Sequence, residues 1–201
     1  MIVLVGFMGA GKSTVGRSLA DRLGLPFLDS DTVIEERAGR SIAQVFASDG
    51  ESAFRALEAA TIADLLDGPS AVLSLGGGAC GNPTTRGRLA GHTVVHLEVS
   101  FDQALARVGA DPRRPVLAAP DLADRYAARQ ADYARVATVT VRTDARRPGE
   151  VAAEIAAALA ADAGRAAGSV VHSRQRRDDG APERLVDDDD EGEVVELLVG
   201  S

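Results

Sequence analysis

At 201 residues the chain has room for one domain of ordinary size and little more, and its formal net charge of −8 excludes the basic footprint that nucleic-acid binding needs. A single cysteine, Cys80, excludes an intramolecular disulfide, and no Cys-x-x-Cys spacing offers a structural metal site. No apolar run approaches a membrane span and a strand begins at residue 2, so neither membrane insertion nor an N-terminal targeting segment is expected; the expected setting is the cytoplasm and the expected state a monomer.

The chain opens with Ile2-Val3-Leu4-Val5, a short apolar run that reads as a buried strand. Gly6-Phe7-Met8-Gly9-Ala10-Gly11-Lys12-Ser13 follows, and then Val15, Leu19 and Leu23 recur at helical spacing. Strand, glycine loop and helix form the context that a G-x-x-x-x-G-K-[ST] motif requires. Lys12 is the only lysine among 22 basic side chains. It is kept where a compact ammonium on a thin stem must reach the β- and γ-phosphates of a nucleotide. The glycines let successive N–H groups converge on one anion, and the helix behind them adds its positive dipole end. Ser13 offers a hydroxyl to Mg²⁺, a hard cation that takes oxygen ligands. Gly9, Ala10, Gly11, Lys12, Ser13 and Thr14 are therefore the expected nucleotide-phosphate contacts.

Residues 25–28 are the second strand candidate and run into Asp29-Ser30-Asp31. Two carboxylates alternating along extended backbone point to opposite faces, so different tasks are expected of them. A short helix over 33–38 closes on Gly39, and Ser41 opens another with Ile42, Val45 and Phe46 on one face. Asp49-Gly50 breaks the chain before a longer helix over 51–66, in which Arg55 and Glu58 lie three apart on one face. A buried strand over 71–75 ends in Gly76-Gly77-Gly78, bare backbone available to a ligand. A strand over 93–99 leads into a helix over 101–108. Residues 109–120 are rich in Gly, Ala, Pro and Arg, lack periodicity, and contain Arg113-Arg114-Pro115. A helix over about 122–133, a strand over 138–141 and a helix over 148–161 with Pro148 in its first turn complete the pattern. Alternating strands and helices predict an α/β domain over 1–161 with a mainly parallel sheet and ligands at the strand C-terminal ends. Residues 162–201 hold 11 acidic and 5 basic side chains, and this acidic, weakly hydrophobic tail is expected to be mostly disordered.

Taken together, Gly6-Phe7-Met8-Gly9-Ala10-Gly11-Lys12-Ser13-Thr14, Leu28-Asp29-Ser30-Asp31, Gly39-Arg40-Ser41-Ile42, Phe54-Arg55-Ala56-Leu57-Glu58, Leu75-Gly76-Gly77-Gly78-Ala79 and Arg114-Pro115-Val116-Leu117 resemble the shikimate kinases, in that family's order, over residues 1 to about 160. The resemblance implies a three-layer α/β/α P-loop kinase with five parallel strands and a mobile lid over about 109–120. It also implies transfer of the ATP γ-phosphoryl to the 3-hydroxyl of shikimate, a step toward chorismate and the aromatic amino acids. By position, Arg55 and Arg129 would clamp the substrate carboxylate and Glu58 would hold Arg55. Asp31 would bond the ring hydroxyls and help remove the proton, Gly77 and Gly78 would present N–H groups, and Phe46 and Phe54 would pack the ring. Asp29 would hold Mg²⁺ through water beside Ser13, Arg114 would swing in on the lid, and Arg107 with Arg146-Arg147-Pro148 would flank adenine.

The residues alone agree with this. An anionic polyol calls for a bidentate arginine at its carboxylate and a carboxylate at its attacking hydroxyl, and the chain has both. One stretch departs from the family pattern. Where members usually carry Arg-x-Pro-x-Tyr, this chain has Arg129-Gln130-Ala131-Asp132-Tyr133, and the segment before it is about one helical turn short, which leaves Arg125 beside Arg129 as a candidate for the clamp. The alternatives are a kinase for another hydroxylated metabolite such as gluconate, and a nucleotide-binding regulator without chemistry. The first gives no reason for Phe54-Arg55 combined with the triple glycine, and the intact Lys12, Ser13, Asp31 and Arg114 argue against the second.

Overall fold

The computed structural model describes residues 1–109 and 121–175, with side chains as far as residue 163. The chain divides into two units, Met1–Asp162 and Ala163–Ser201. The first contains five parallel strands, β1 (Ile2–Val5), β2 (Phe27–Asp29), β3 (Val72–Ser74), β4 (Thr93–Glu98) and β5 (Val139–Arg142), in the order β2-β3-β1-β4-β5. Val3 pairs with Leu73 on one side and Val94 on the other, and all three are fully buried. Their apolar continuity follows from a sheet covered on both faces. The covering helices include α1 (Lys12–Leu23), which buries Val15 and Leu19, and α7 (Pro148–Gln175), which buries Val151 and Ile155.

The other helices are α2 (Ser30–Ala38), α3 (Ile42–Leu66), α4 (Pro83–Leu89), α5 (Phe101–Val108) and α6 (Leu122–Val136). The expected α/β class and parallel sheet are found. α2 and α3 carry a second, small core of Ile34, Val45 and Phe54, separate from the cluster around the sheet. The Ser41 start of α3 is a capping box with Gln44, and the expected break at Asp49-Gly50 is a kink at Gly50, whose φ of 82° is open only to glycine without strain.

Three local expectations change. α2 begins at Ser30, because the Asp29 side chain accepts from Asp31 N at 3.1 Å and caps the helix there. Asp31 therefore sits in the first turn of α2, and the two carboxylates are not alternating positions on one extended strand. α4 was not anticipated, although its signal is local: Asn82 accepts from Thr84 N at 2.8 Å and Pro83 occupies the first turn. α7 continues to Gln175, past residue 161, along an alanine-rich run that favours helix.

Candidate functional site

In the strand order, β1 lies at the centre, its neighbours β3 and β4 departing in opposite directions, so a crevice opens above its C-terminal end. The loop Gly6 to Gly11 fills that position and delivers the chain to the N-terminus of α1, where Gly11 caps the helix at φ 88°. Gly9 has φ 77°, and a Cβ there would stand 2.7 Å from Ala104 O of α5. Both constraints are on backbone, which cannot swing aside. Gly9→Ala is expected to destabilise the fold by about 1–3 kcal/mol, measurable as a lower denaturant midpoint at unchanged m.

Lys12 Nζ donates to Gly6 O at 2.8 Å and Phe7 O at 3.3 Å, so the ammonium lies back along the loop. Ser13 Oγ donates to Asp29 Oδ2 at 2.9 Å. A hydroxyl and a carboxylate this close are a pair of hard oxygen donors, and they suit Mg²⁺, which takes few protein ligands and keeps water and phosphate for the rest. Among the described residues no cluster of three or more His, Cys, Asp or Glu could form a metal cage. His92 and His96 are four apart at β4, and a rise of about 3.3 Å per residue separates them by roughly 13 Å, too far to share an ion.

A cavity of about 660 Å³ runs over this loop. Toward β4 and β5 its wall is Arg107, Thr143, Arg146 and Pro148. Arg107 bridges the two sides of that wall: Nη1 donates to Gly9 O at 3.1 Å and Thr143 Oγ1 at 3.0 Å, and Nη2 donates to Thr143 O. Arg146 is held by Arg142 O at 3.0 Å and by Glu154 Oε2 at 2.6 Å. Arg107, Arg146 and Pro148, the residues that the resemblance would set beside adenine, thus line one wall of the cavity. Thr143 was not foreseen; it stands one residue past β5, where only the sheet order brings it to the loop.

Toward β2 and β3 the same cavity is lined by Asp31, Gly76, Gly77 and Arg129. Burial raises the Asp31 carboxyl to about 6, with the Asp29 charge adding to the rise and Lys12 opposing it. Gly76 makes room for Asp31, since a Cβ on it would stand 2.6 Å from Asp31 Oδ1 and 3.1 Å from Glu58 Oε1. Ser30, another residue the sequence did not single out, holds that glycine by accepting from Gly76 N at 3.0 Å.

Arg55 donates to Glu58 Oε2 at 2.7 Å, and Glu58 is only 3% exposed. The pair is thus no solvated surface bridge: the carboxylate is sunk beneath the guanidinium and fixes its direction. Burial pushes the Glu58 carboxyl upward, and the hydrogen bond from Arg55 pulls the other way. Phe54 lies under Arg55 at 5.2 Å and against Phe46 at 4.5 Å between ring centroids, with Phe46 36% exposed at the rim.

Arg129 stands over the Phe7 ring at 5.6 Å and lines both the main cavity and an adjoining one of about 440 Å³ that it shares with Arg55, Gly78 and Asp132. Arg125 pairs instead with Asp121 at 2.7 Å, both half-exposed on the surface. Of the two candidates, the fold brings Arg129 to the pocket. Asp132, an unexpected carboxylate near that arginine, is engaged by Arg135 at 3.0 Å and Arg86 at 3.8 Å. Cys80 is buried, which pushes its thiol up to about 12 and leaves it without nucleophilic character. Arg114 and the rest of the expected lid beyond Gly109 lie outside the described residues.

The family model described as Shikimate kinase matches residues 8–160. The shikimate kinase of Mycobacterium avium is 49% identical over 170 residues, covering 82% of this chain and 97% of that protein. The shikimate kinase of Mycobacterium tuberculosis is 50% identical over 161 residues, with 78% and 92% covered. Among solved structures, shikimate kinase from Acinetobacter baumannii in complex with shikimate superposes with a TM-score of 0.77 at 36% identity, covering 80% of this chain and 93% of that one.

Proposed function

The chain belongs to the shikimate kinase family, and from that premise we propose that it transfers the γ-phosphoryl group of ATP to the 3-hydroxyl of shikimate. The observation that carries the proposal is a single cavity in which the phosphate loop meets Asp31 and Arg129, with Arg55 and its buried Glu58 in the adjoining pocket. Candidate recognition groups for a nucleotide and for an anionic polyol thus stand on opposite sides of one loop.

The acceptor carboxylate is bound by Arg55 and Arg129, which present planar forks to it, while Phe46 and Phe54 pack beside the ring. Its reacting hydroxyl donates to Asp31, which takes the proton as the new O–P bond forms and the bond from the γ-phosphorus to the bridging oxygen breaks, ADP leaving with the electron pair. Lys12 moves from the loop carbonyls to the phosphates and neutralises charge on the transferring group. Bound Mg²⁺, held by Ser13 and through water by Asp29, would neutralise further phosphate charge. Arg107, Arg146 and Pro148 enclose the base.

ADP release from MgATP, compared with shikimate, quinate, gluconate, AMP and no acceptor, tests the proposal. Turnover with shikimate alone is expected, and turnover with a different acceptor overturns it. Arg55→Ala is expected to raise KM for shikimate by about 10²-fold, the loss of a charge-assisted bidentate contact, with KM for ATP within about two-fold. Equal losses for both substrates would remove Arg55 from the carboxylate site. Because the change also strands the buried Glu58, the melting temperature should be recorded with the kinetics.

A further inference from the structure

Every carbonyl of the triple glycine is taken up by the protein. Gly76 O accepts from Ala79 N at 3.1 Å and Gly78 O from Gly81 N at 3.0 Å, both local turn bonds. Between them Gly77 O accepts from Tyr133 Oη at 2.6 Å, and this bond arrives from α6 rather than from the turn itself. Tyr133 is 1% exposed and its ring packs against His96 at 5.1 Å between centroids. Burial lifts its phenol above the ordinary range, so it stays a donor at every working pH.

A trans peptide is a rigid plane in which C=O and N–H point in opposite directions. The plane that carries the Gly77 carbonyl also carries the Gly78 N–H. With glycine on both sides of it, no Cβ resists its rotation, so its orientation depends on whatever holds the carbonyl. Gly78 lies against Arg55, since a Cβ on Gly78 would stand 2.8 Å from Arg55 Nη1, and the two line one pocket with Arg129.

Resting on the function proposed above, we infer that Tyr133 is a positioning residue for the acceptor: its hydroxyl, by holding the Gly77 carbonyl, sets the peptide plane that directs the Gly78 N–H into the carboxylate pocket beside Arg55. Arg129 and Tyr133 are four apart and share a face of α6, so one helix supplies both the second arginine of the clamp and the latch on the glycine turn. Arg86 secures the far end of the same turn, donating to Cys80 O at 2.7 Å and Gly81 O at 2.9 Å. With that end anchored, freedom in the turn is confined to the plane that Tyr133 holds.

Tyr133→Phe keeps the buried ring and removes only the hydroxyl. KM for shikimate is expected to rise about 5–15-fold, the value of one buried hydrogen bond, with KM for ATP within about two-fold and a cooperative unfolding transition retained. A purely structural hydroxyl would lower the denaturation midpoint and leave this split between the two KM values absent. Unchanged KM for shikimate in Tyr133→Phe, or equal rises for both substrates, overturns the inference while the wild-type turnover keeps the functional reading. A wild-type protein that does not phosphorylate shikimate overturns both.

Discussion

Lys12→Ala lowers kcat by at least about 10³-fold in a steady-state assay of ADP release, the scale of losing a charge that opposes the developing charge of a phosphoryl transition state. The argument is electrostatic and local. Every other basic side chain of this protein is arginine, and none of the described arginines sits inside the loop. Arg107 is engaged with Gly9 O and Thr143, and Arg129 stands on the acceptor side over Phe7. The same charge that acts in the transition state also attracts the phosphates of bound ATP, so KM for ATP rises as well. Retained turnover would remove the phosphate-loop role altogether.

Asp31→Asn lowers kcat by about 10²–10⁴-fold, the usual contribution of a general base, and at the same time stabilises the protein at alkaline pH. The second half rests on sign. The Asp31 carboxyl titrates near 6 in the folded protein against 3.8 ordinarily. Between those two values the folded state binds more protons than the unfolded one, so stability falls as pH rises through that window and stays lower above it. Asparagine does not ionise and is free of this loss. The variant should therefore melt higher than the wild type at pH 8, by about 1–2 kcal/mol after allowance for water in the cavity, and show no such gain near pH 4. In the wild type, kcat/KM for shikimate should fall about tenfold per pH unit below roughly pH 6, as the base is protonated. A flat profile down to pH 5 would sink the assignment of Asp31 as base. A variant no more stable than the wild type at pH 8 would mean that the site bears the ionised carboxylate without strain.

Most of the residues that line the candidate site were legible in the sequence because they are carried by short runs. Gly6 to Ser13 contains its own loop, and Arg55 with Glu58 needs only the period of a helix to be brought together. The sequence could not say that Glu58 is buried, which comes from the packing of α3 on the sheet and changes the pair from a surface bridge into an anchor. Asp31 was found for its carboxylate but placed on the wrong kind of backbone, since Asp29 caps α2 one turn earlier than apolar periodicity alone suggests. Ser30 and Thr143 carry no motif of their own, and Tyr133 entered only as the last residue of the Arg129-to-Tyr133 stretch, with no role read for it. Each acts through hydrogen bonds to a residue distant in the chain, and the strand order β2-β3-β1-β4-β5 supplies that neighbour. The choice between Arg129 and Arg125 was open for a similar reason: both lie on α6, and packing over Phe7 selects one.

The small core of Ile34, Val45 and Phe54 stands apart from the cluster that wraps the sheet. That separation makes the enzyme modular in an evolutionary sense. Substitutions within this core reshape the walls around Arg55 while the loop at the end of β1 and the nucleotide wall beyond β4 keep their support. Size-conserving changes at Ile34 or Val45 are thus expected to register at the Phe54-Arg55 side of the site before they reach the cluster that wraps the sheet.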